Sequence, residues 1–109
     1  LIQIEEIFKK FDFIILPSSQ VFPFNKNIQY PKKINDQELD TYHRWLEVFI
    51  ISSLFDLPTL TVPIGFNDNG SPMGLQIIAK KGDDIKLISF AKTYEKIYKY
   101  SNIKAKFKL

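Results

Sequence analysis

Ser18 and Ser19 form a serine pair that follows a short apolar segment and Pro17. Such a pair could supply a nucleophile and a proton relay, but a serine hydroxyl attacks a carbonyl only when a base takes its proton. No glycine lies beside the pair to build a loop that would hold an oxyanion. We therefore favour a turn-capping or pocket-lining role for Ser18 and Ser19 over a catalytic one.

His43 is the sole histidine of the chain and stands beside Arg44 and Trp45. An imidazole titrates near neutral pH, so it could act as a general base or help to clamp a carboxylate. The same residues lie in the first turns of a predicted helix, where a histidine is more often partly exposed and structural. We favour that structural role and keep both His43 and Trp45 as candidates for lining a substrate pocket.

Acidic residues occur in two groups that could suggest a metal site. Asp83 and Asp84 precede a predicted helix, where carboxylates cap free N–H groups and interact favourably with the positive end of the helix dipole. Asp36, Glu38 and Asp40 have no histidine at ligand spacing, and the chain contains no cysteine. We predict no metal site and no cofactor.

The composition is typical of one folded, soluble chain. Hydrophobic residues make up 45% of the 109 residues, and the lack of cysteine is compatible with a cytoplasmic location. The net charge is +3, but fourteen of the fifteen basic residues are lysine, whereas recognition of phosphate and guanine favours arginine. The basic excess collects in the C-terminal tail, where it indicates a solvated helix end and terminus, at Lys96, Lys99, Lys104, Lys106 and Lys108. We expect no nucleic-acid partner and, because no apolar run approaches about 20 residues, no membrane span.

Hydrophobic periodicity predicts three helices. The first covers residues 2–10. The second covers residues 37–55, with Asn35 and Glu38 as its capping residues, and it should be covered on most sides because it is apolar nearly all round after Trp45. The third follows residues 82–84, and its predicted core face carries Leu87, Phe90, Ala91, Tyr94 and Ile97.

Three apolar, β-rich segments predict strands at residues 12–16, 59–63 and 73–80, with a long loop over residues 17–36 and a hairpin turn at residues 67–70. The strands should be neighbours in one sheet with the second helix packed on it. Pro63 and Gly65 are predicted to end one strand and Gly74 to enter the next. At least one of these glycines should adopt a positive φ or lie against a neighbouring backbone.

This α/β pattern predicts a single incomplete domain over residues 1–109. Three strands with so few helices leave apolar faces poorly covered and strand edges open. The chain also begins with Leu1 rather than methionine. We therefore expect a fragment of a larger domain, poorly soluble or self-associating when alone.

Three segments carry a resemblance to a known family. Residues 57–76 read LPTLTVPIGFNDNGSPMGLQ, residues 40–47 read DTYHRWLE, and residues 13–17 are bulky aliphatics entering Pro17. Together they resemble the C-terminal part of amidase-signature enzymes, and the likeness extends over about residues 12–98. It implies an α/β/α sandwich around a mixed sheet, of which this chain would supply the C-terminal edge and its covering helices.

The resemblance also implies hydrolysis of carboxamide C–N bonds by two serines and a lysine, none of which can be placed on this chain. We therefore expect the chain to supply sheet edge and substrate-pocket wall, to be inactive alone, and to need a missing N-terminal amidase portion or partner chain. The pocket would take a small-molecule amide. Its candidate residues are Pro17, Ser18, Ser19, Phe22, His43 and Trp45, with Pro63, Gly65 and Gly74 as structural turn residues. The alternative is a non-catalytic protein-interaction module on the same scaffold.

Overall fold

The computed structural model describes residues 2–104. Its first helix, α1, covers Ile2–Lys10 and ends with the Phe11 N–H donating to the Ile7 carbonyl at 2.9 Å. Strand β1 follows at Phe13–Pro17. The change from helical spacing to a continuous apolar run therefore marks a real boundary, and both predicted elements are confirmed. Of the basic tail, Lys106 and Lys108 lie outside the described residues.

A three-stranded antiparallel sheet forms the centre of the fold. Strands β4, Thr59–Phe66, and β5, Pro72–Ala79, make a hairpin, and β1 pairs with the other side of β5, giving the order β1-β5-β4. The predicted turn is confirmed, because Asn67 Oδ1 accepts the N–H groups of Asn69 and Ser71 at 3.0 and 2.8 Å. The α/β class and the three neighbouring strands are confirmed.

Helix α3, Asp84–Tyr98, covers one face of this sheet. Leu87 packs there with Val62, Ile77 and Ala79, and Phe90 meets Phe13 with ring centroids 4.9 Å apart. The predicted core face is right except for Ile97, which is 67% exposed and does not pack against the core cluster that Phe90, Ala91 and Tyr94 contact. Asp83 occupies the N-cap, but its carboxylate makes no capping hydrogen bond.

The prediction of one helix over residues 37–55 is wrong. Asn35 and Asp36 have φ of 47° and 64° and form the turn between two short strands, β2 at Lys33–Ile34 and β3 at Gln37–Glu38. Asn and Asp tolerate the left-handed region, and a two-residue hairpin loop uses it at both positions, so Asn35 turns the chain instead of capping a helix.

The rest of that segment is a 3₁₀ helix, Tyr42–Phe49, continued by the short helix α2, Ile50–Leu54. Neither contains a buried residue, and Leu54 is 70% exposed. The expectation that this apolar segment is covered on most sides is therefore wrong for the part of the chain described. Its link to the sheet is a hydrogen bond from Gln76 Nε2 to the Val48 carbonyl at 2.8 Å.

The prediction that Pro63 and Gly65 end a strand is wrong. The two residues flank a β-bulge within β4, because the strand pairs with β5 as far as Phe66. Gly65 has φ of 132°, so the prediction of a positive φ at one glycine is confirmed. Gly74 has an ordinary φ, and what approaches it is the side chain of Ser18. Across residues 2–104, no helix is both long and apolar enough to cross a membrane.

Candidate functional site

A cavity of about 520 Å³ lies on the sheet face opposite α3, and we refer to it as the Ser18 cavity. Strand alternation places it there, because Thr61 pairs with Gln76 and Pro63 with Gly74, whereas the α3 face carries Val62 and its neighbours. Its lining comes from the loop after β1, the 3₁₀ helix and the β4–β5 hairpin: Ser18, Ser19, Val21, Pro23, Phe24, Trp45, Thr61, Pro63, Pro72, Met73 and Gly74.

Ser18 is held against β5 at the edge of this cavity. Its N–H donates to the Gly74 carbonyl at 2.8 Å. A Cβ on Gly74 would lie only 2.7 Å from Ser18 Oγ and 3.1 Å from Thr61 Cγ2. The glycine therefore provides the space that the serine side chain occupies.

Ser19 stabilises the turn after β1. Its Oγ accepts the N–H of Val21 at 3.3 Å, the local bond of a serine turn. Neither Ser18 nor Ser19 has a recorded hydrogen bond to a histidine or a lysine within residues 2–104. In that range both hydroxyls lack the activating base that a nucleophile requires, and a lining role accounts for their position.

Trp45 forms the aromatic wall of the cavity together with Phe24. The two rings meet edge to face with centroids 5.7 Å apart. Trp45 Nε1 is buried and has no hydrogen-bond partner in the described part of the chain. The loop is tied to the 3₁₀ helix next to this pair, because Gln20 Nε2 donates to the Arg44 carbonyl at 2.8 Å.

The Arg44 guanidinium forms ion pairs with two carboxylates of neighbouring residues in its own segment. Its guanidinium donates to Asp40 Oδ1 and to Glu47 Oε1, both at 3.0 Å. Hydrogen bonds and charge attraction from Glu47 and Asp40 raise the pKa of Arg44. His43 is exposed and its ring lies 5.8 Å from that of Tyr42. A carboxylate clamp built from His43 and Arg44 is therefore not assembled here.

Of the six predicted pocket residues, Ser18, Ser19 and Trp45 come together around the Ser18 cavity. Pro17, Phe22 and His43 lie outside its lining, and Phe22 is 41% exposed. Phe24, Thr61 and Met73 also line the cavity and were not among the predicted pocket residues. A signal for Thr61 was present, because alternation along β4 separates it from the buried Val62.

A second cavity of about 460 Å³ lies between α1, the end of α2 with the segment that follows it, and the residues after β5. Its apolar lining includes Ile4, Phe8, Leu54 and Leu57. None of the candidate residues lines it. No group of three or more His, Cys, Asp or Glu residues that could hold a metal is found in the 2–104 range.

Comparison with known proteins gives consistent matches. The model of the Amidase family matches residues 2–88. A glutamyl-tRNA(Gln) amidotransferase subunit from Sulfolobus acidocaldarius is 35% identical over 105 residues, which are 94% of this chain and 20% of that protein.

Two further relatives are the same amidotransferase subunit from other organisms. That of Thermodesulfovibrio yellowstonii is 34% identical over 93 residues, covering 84% of this chain and 18% of its own length. That of Ehrlichia canis is 36% identical over 93 residues, covering 84% of this chain and 17% of its own length. The chain therefore spans about a fifth of the length of the curated relatives it matches. No solved structure matches it.

Proposed function

The chain belongs to the amidase family, and from this premise we propose that it is the C-terminal portion of a hydrolase acting on carboxamide C–N bonds. In this proposal the described residues supply one edge of the sheet and a wall of the substrate pocket. The serine and lysine residues that carry out the reaction belong to an N-terminal amidase portion, in the same protein or in a partner chain. Residues 1–109 would then be one incomplete domain.

The observation that carries the proposal is the Ser18 cavity. It has the size and the mainly apolar lining of a small-molecule site, with a few polar groups at its margin. The Trp45 and Phe24 rings offer a flat apolar surface, and the hydroxyls of Ser18 and Ser19 offer hydrogen-bond donors and acceptors. Such a wall can orient the amide and its side chain without taking part in bond cleavage.

The bonding of the two serines supports the proposal that this chain supplies a pocket wall and that the catalytic residues lie in the N-terminal portion. Ser18 packs its side chain against Gly74 and Ser19 accepts a bond from its own turn, so both serve structure. The length comparison supports the same proposal, because the relatives are about five times as long as the region they share with this chain and have room for the catalytic residues elsewhere. The amide chemistry named in these relatives makes a carboxamide the substrate class to test.

The test is a paired assay of the 109-residue chain alone and co-expressed with the N-terminal portion of an amidase-family protein. The substrates are a panel of small carboxamides, with amide transfer to glutamyl-tRNA(Gln) as a separate arm because the relatives bear that name. We expect no hydrolysis above background by the chain alone, since a missing base and a missing oxyanion site each lower the rate about 100-fold or more. The complemented pair should hydrolyse at least one amide.

Two outcomes would overturn the proposal. One is turnover by the purified chain alone that is abolished by Ser18→Ala or His43→Ala. The other is a stable complex with no turnover of any amide, which is the result expected of a non-catalytic interaction module. Ile85→Ala, at a position of α3 that is 81% exposed, is a control that leaves the Ser18 cavity unchanged.

A further inference from the structure

Gln76 is the one buried polar residue recorded in the core of the described chain, and it is 1% exposed in the middle of the central strand. We infer that Gln76 is a positioning residue for the pocket, whose side-chain amide holds the two walls of the Ser18 cavity at a fixed separation. The catalytic part of this inference rests on the proposed amidase function; the structural part does not.

The register places Gln76 beneath the cavity. It lies two residues after Gly74 on the same face of β5, and its partner on β4 is Thr61. Both Gly74 and Thr61 line the Ser18 cavity. Its side chain therefore extends from the sheet on the side where the loop and the 3₁₀ helix meet.

Two hydrogen bonds join Gln76 to those two segments. Its Nε2 donates to the Pro17 carbonyl at 3.1 Å and to the Val48 carbonyl at 2.8 Å. Both acceptors are carbonyl oxygens, so the nitrogen must face them and the orientation of the amide follows. Pro17 directly precedes Ser18, and Val48 lies one 3₁₀ turn after Trp45. One side chain thus fixes the backbone at both lining segments.

No apolar residue can replace this function. Ile77 and Ile78 next to Gln76 show that the strand accepts buried aliphatic side chains, so packing alone does not require glutamine here. An apolar substitute would leave both carbonyls without their donor, and a carboxylate would present oxygens to them. Gln76 Oε1 has no partner within the described residues, so the bonds of this side chain are made by its nitrogen.

The loop after β1 depends on the bond from Gln76 to the Pro17 carbonyl, because it has no helical or strand hydrogen bonds of its own at this point. Pro17 has no N–H, and among the described residues the start of the loop is joined to other segments by hydrogen bonds from Gln76, from Ser18 N–H to Gly74, and from Gln20 to Arg44. Loss of the Gln76 donor would allow the serine wall and the Trp45 wall to move apart. Substrate binding should weaken while the reacting groups, which lie elsewhere, remain unchanged.

The test uses the complemented complex of the full chain and compares Gln76→Met with Ile77→Val. Methionine preserves the length of the side chain but removes the donor, and Ile77, 1% exposed on the opposite sheet face, provides a matched core control. Hydrogen exchange is followed by mass spectrometry in peptides covering residues 18–24 and 42–49. We expect Gln76→Met to accelerate exchange in both peptides at once and Ile77→Val to leave both at the parent rate.

Kinetics supply the second measurement. For Gln76→Met we expect KM for the best carboxamide to rise about tenfold, the equivalent of one net hydrogen bond, with kcat within about twofold of the parent. Parent exchange rates in both peptides of Gln76→Met, equal acceleration in Ile77→Val, or a loss confined to kcat would each overturn the inference. If the parent complex hydrolyses no amide, the proposed function fails and the exchange data still decide the structural role of Gln76.

Gln76→Glu tests the donor itself and serves if the methionine variant does not fold. The carboxylate form has no proton to donate, whereas the protonated carboxyl regains one donor in the same shape. Exchange in the two peptides, corrected for its intrinsic pH dependence, should therefore return toward the parent rate as the pH is lowered. Acceleration that is independent of pH would contradict a donor role.

Discussion

Gly74→Ala tests whether Ser18 occupies the space that a side chain on Gly74 would need. The new Cβ would lie 2.7 Å from Ser18 Oγ, 3.2 Å from Ser18 Cβ and 3.1 Å from Thr61 Cγ2. Contacts below 3.0 Å force a shift. Ser18 Oγ can rotate away from the new methyl, but Ser18 Cβ cannot withdraw easily, because the Ser18 N–H is bonded to the Gly74 carbonyl at 2.8 Å.

The sign of the change in the free energy of unfolding for Gly74→Ala distinguishes an open site from a tightly packed one. At an ordinary φ, Gly→Ala stabilises a protein by about 0.4–1 kcal/mol through the unfolded state. Overpacking of a tight site costs about 1–3 kcal/mol. The structure therefore predicts a net loss of about 1–2 kcal/mol in the free energy of unfolding for Gly74→Ala.

A double-mutant cycle with Ser18 separates this clash from other causes. Ser18→Gly removes both serine atoms near the new methyl, so Gly74→Ala should be nearly neutral in that background, with a coupling energy of about 1–2 kcal/mol. Ser18→Ala removes only Oγ and should give an intermediate value. Urea unfolding followed by the fluorescence of Trp45, the sole tryptophan, measures each variant.

Gly70→Ala is the matched control. Gly70 also lies in the hairpin, but nothing stands within 4 Å of the Cβ position and its φ is +76°, so any loss there comes from backbone strain. Ser18→Gly should not rescue it. If Gly74→Ala is as destabilising with Ser18→Gly as with Ser18, the close contact is not its cause and the argument for the Ser18 and Gly74 pairing fails.

Three further predictions concern the sheet edge and the surface charges. Gly65→Val should lower the free energy of unfolding by about 1–3 kcal/mol because its φ is +132°, and a melting temperature equal to the parent's would contradict this. Tyr94→Phe removes the hydroxyl that donates to the Pro63 carbonyl at 2.9 Å and should cost about 1 kcal/mol in urea unfolding. Burial raises the pKa of Tyr94, so the protonated side chain contributes stability below its unfolded pKa that is lost as the pH rises through its folded pKa. Tyr94→Phe should therefore reduce the fall of the melting temperature at alkaline pH. The hydrogen bond and charge of Lys81 lower the pKa of Asp56, so this carboxylate contributes stability above its unfolded pKa that is lost as the pH falls through the folded one. Asp56→Asn should reduce the melting temperature at about pH 6 in low salt and not at about pH 2, and an equal reduction at both would count against the ion pair.

Local sequence signals determined most of the sheet and two of the helices. The Asn67 turn, the apolar run of β1 and the face of α3 from Leu87 to Tyr94 each depend on residues close together in the chain, so a pattern reveals them. The similarity to amidases depends on the same continuous segments.

Tertiary structure decided what those local signals left open. Asn35 can cap a helix or turn a hairpin, and the pairing of Lys33 with Glu38 selects the turn. Gly74 suggested backbone freedom, yet what requires glycine is the Ser18 side chain brought beside it by β1 and β5 pairing. Gln76 donates to carbonyls 59 and 28 residues away in sequence. Contacts between segments so far apart follow from the register of the sheet, and no periodicity within either segment encodes them.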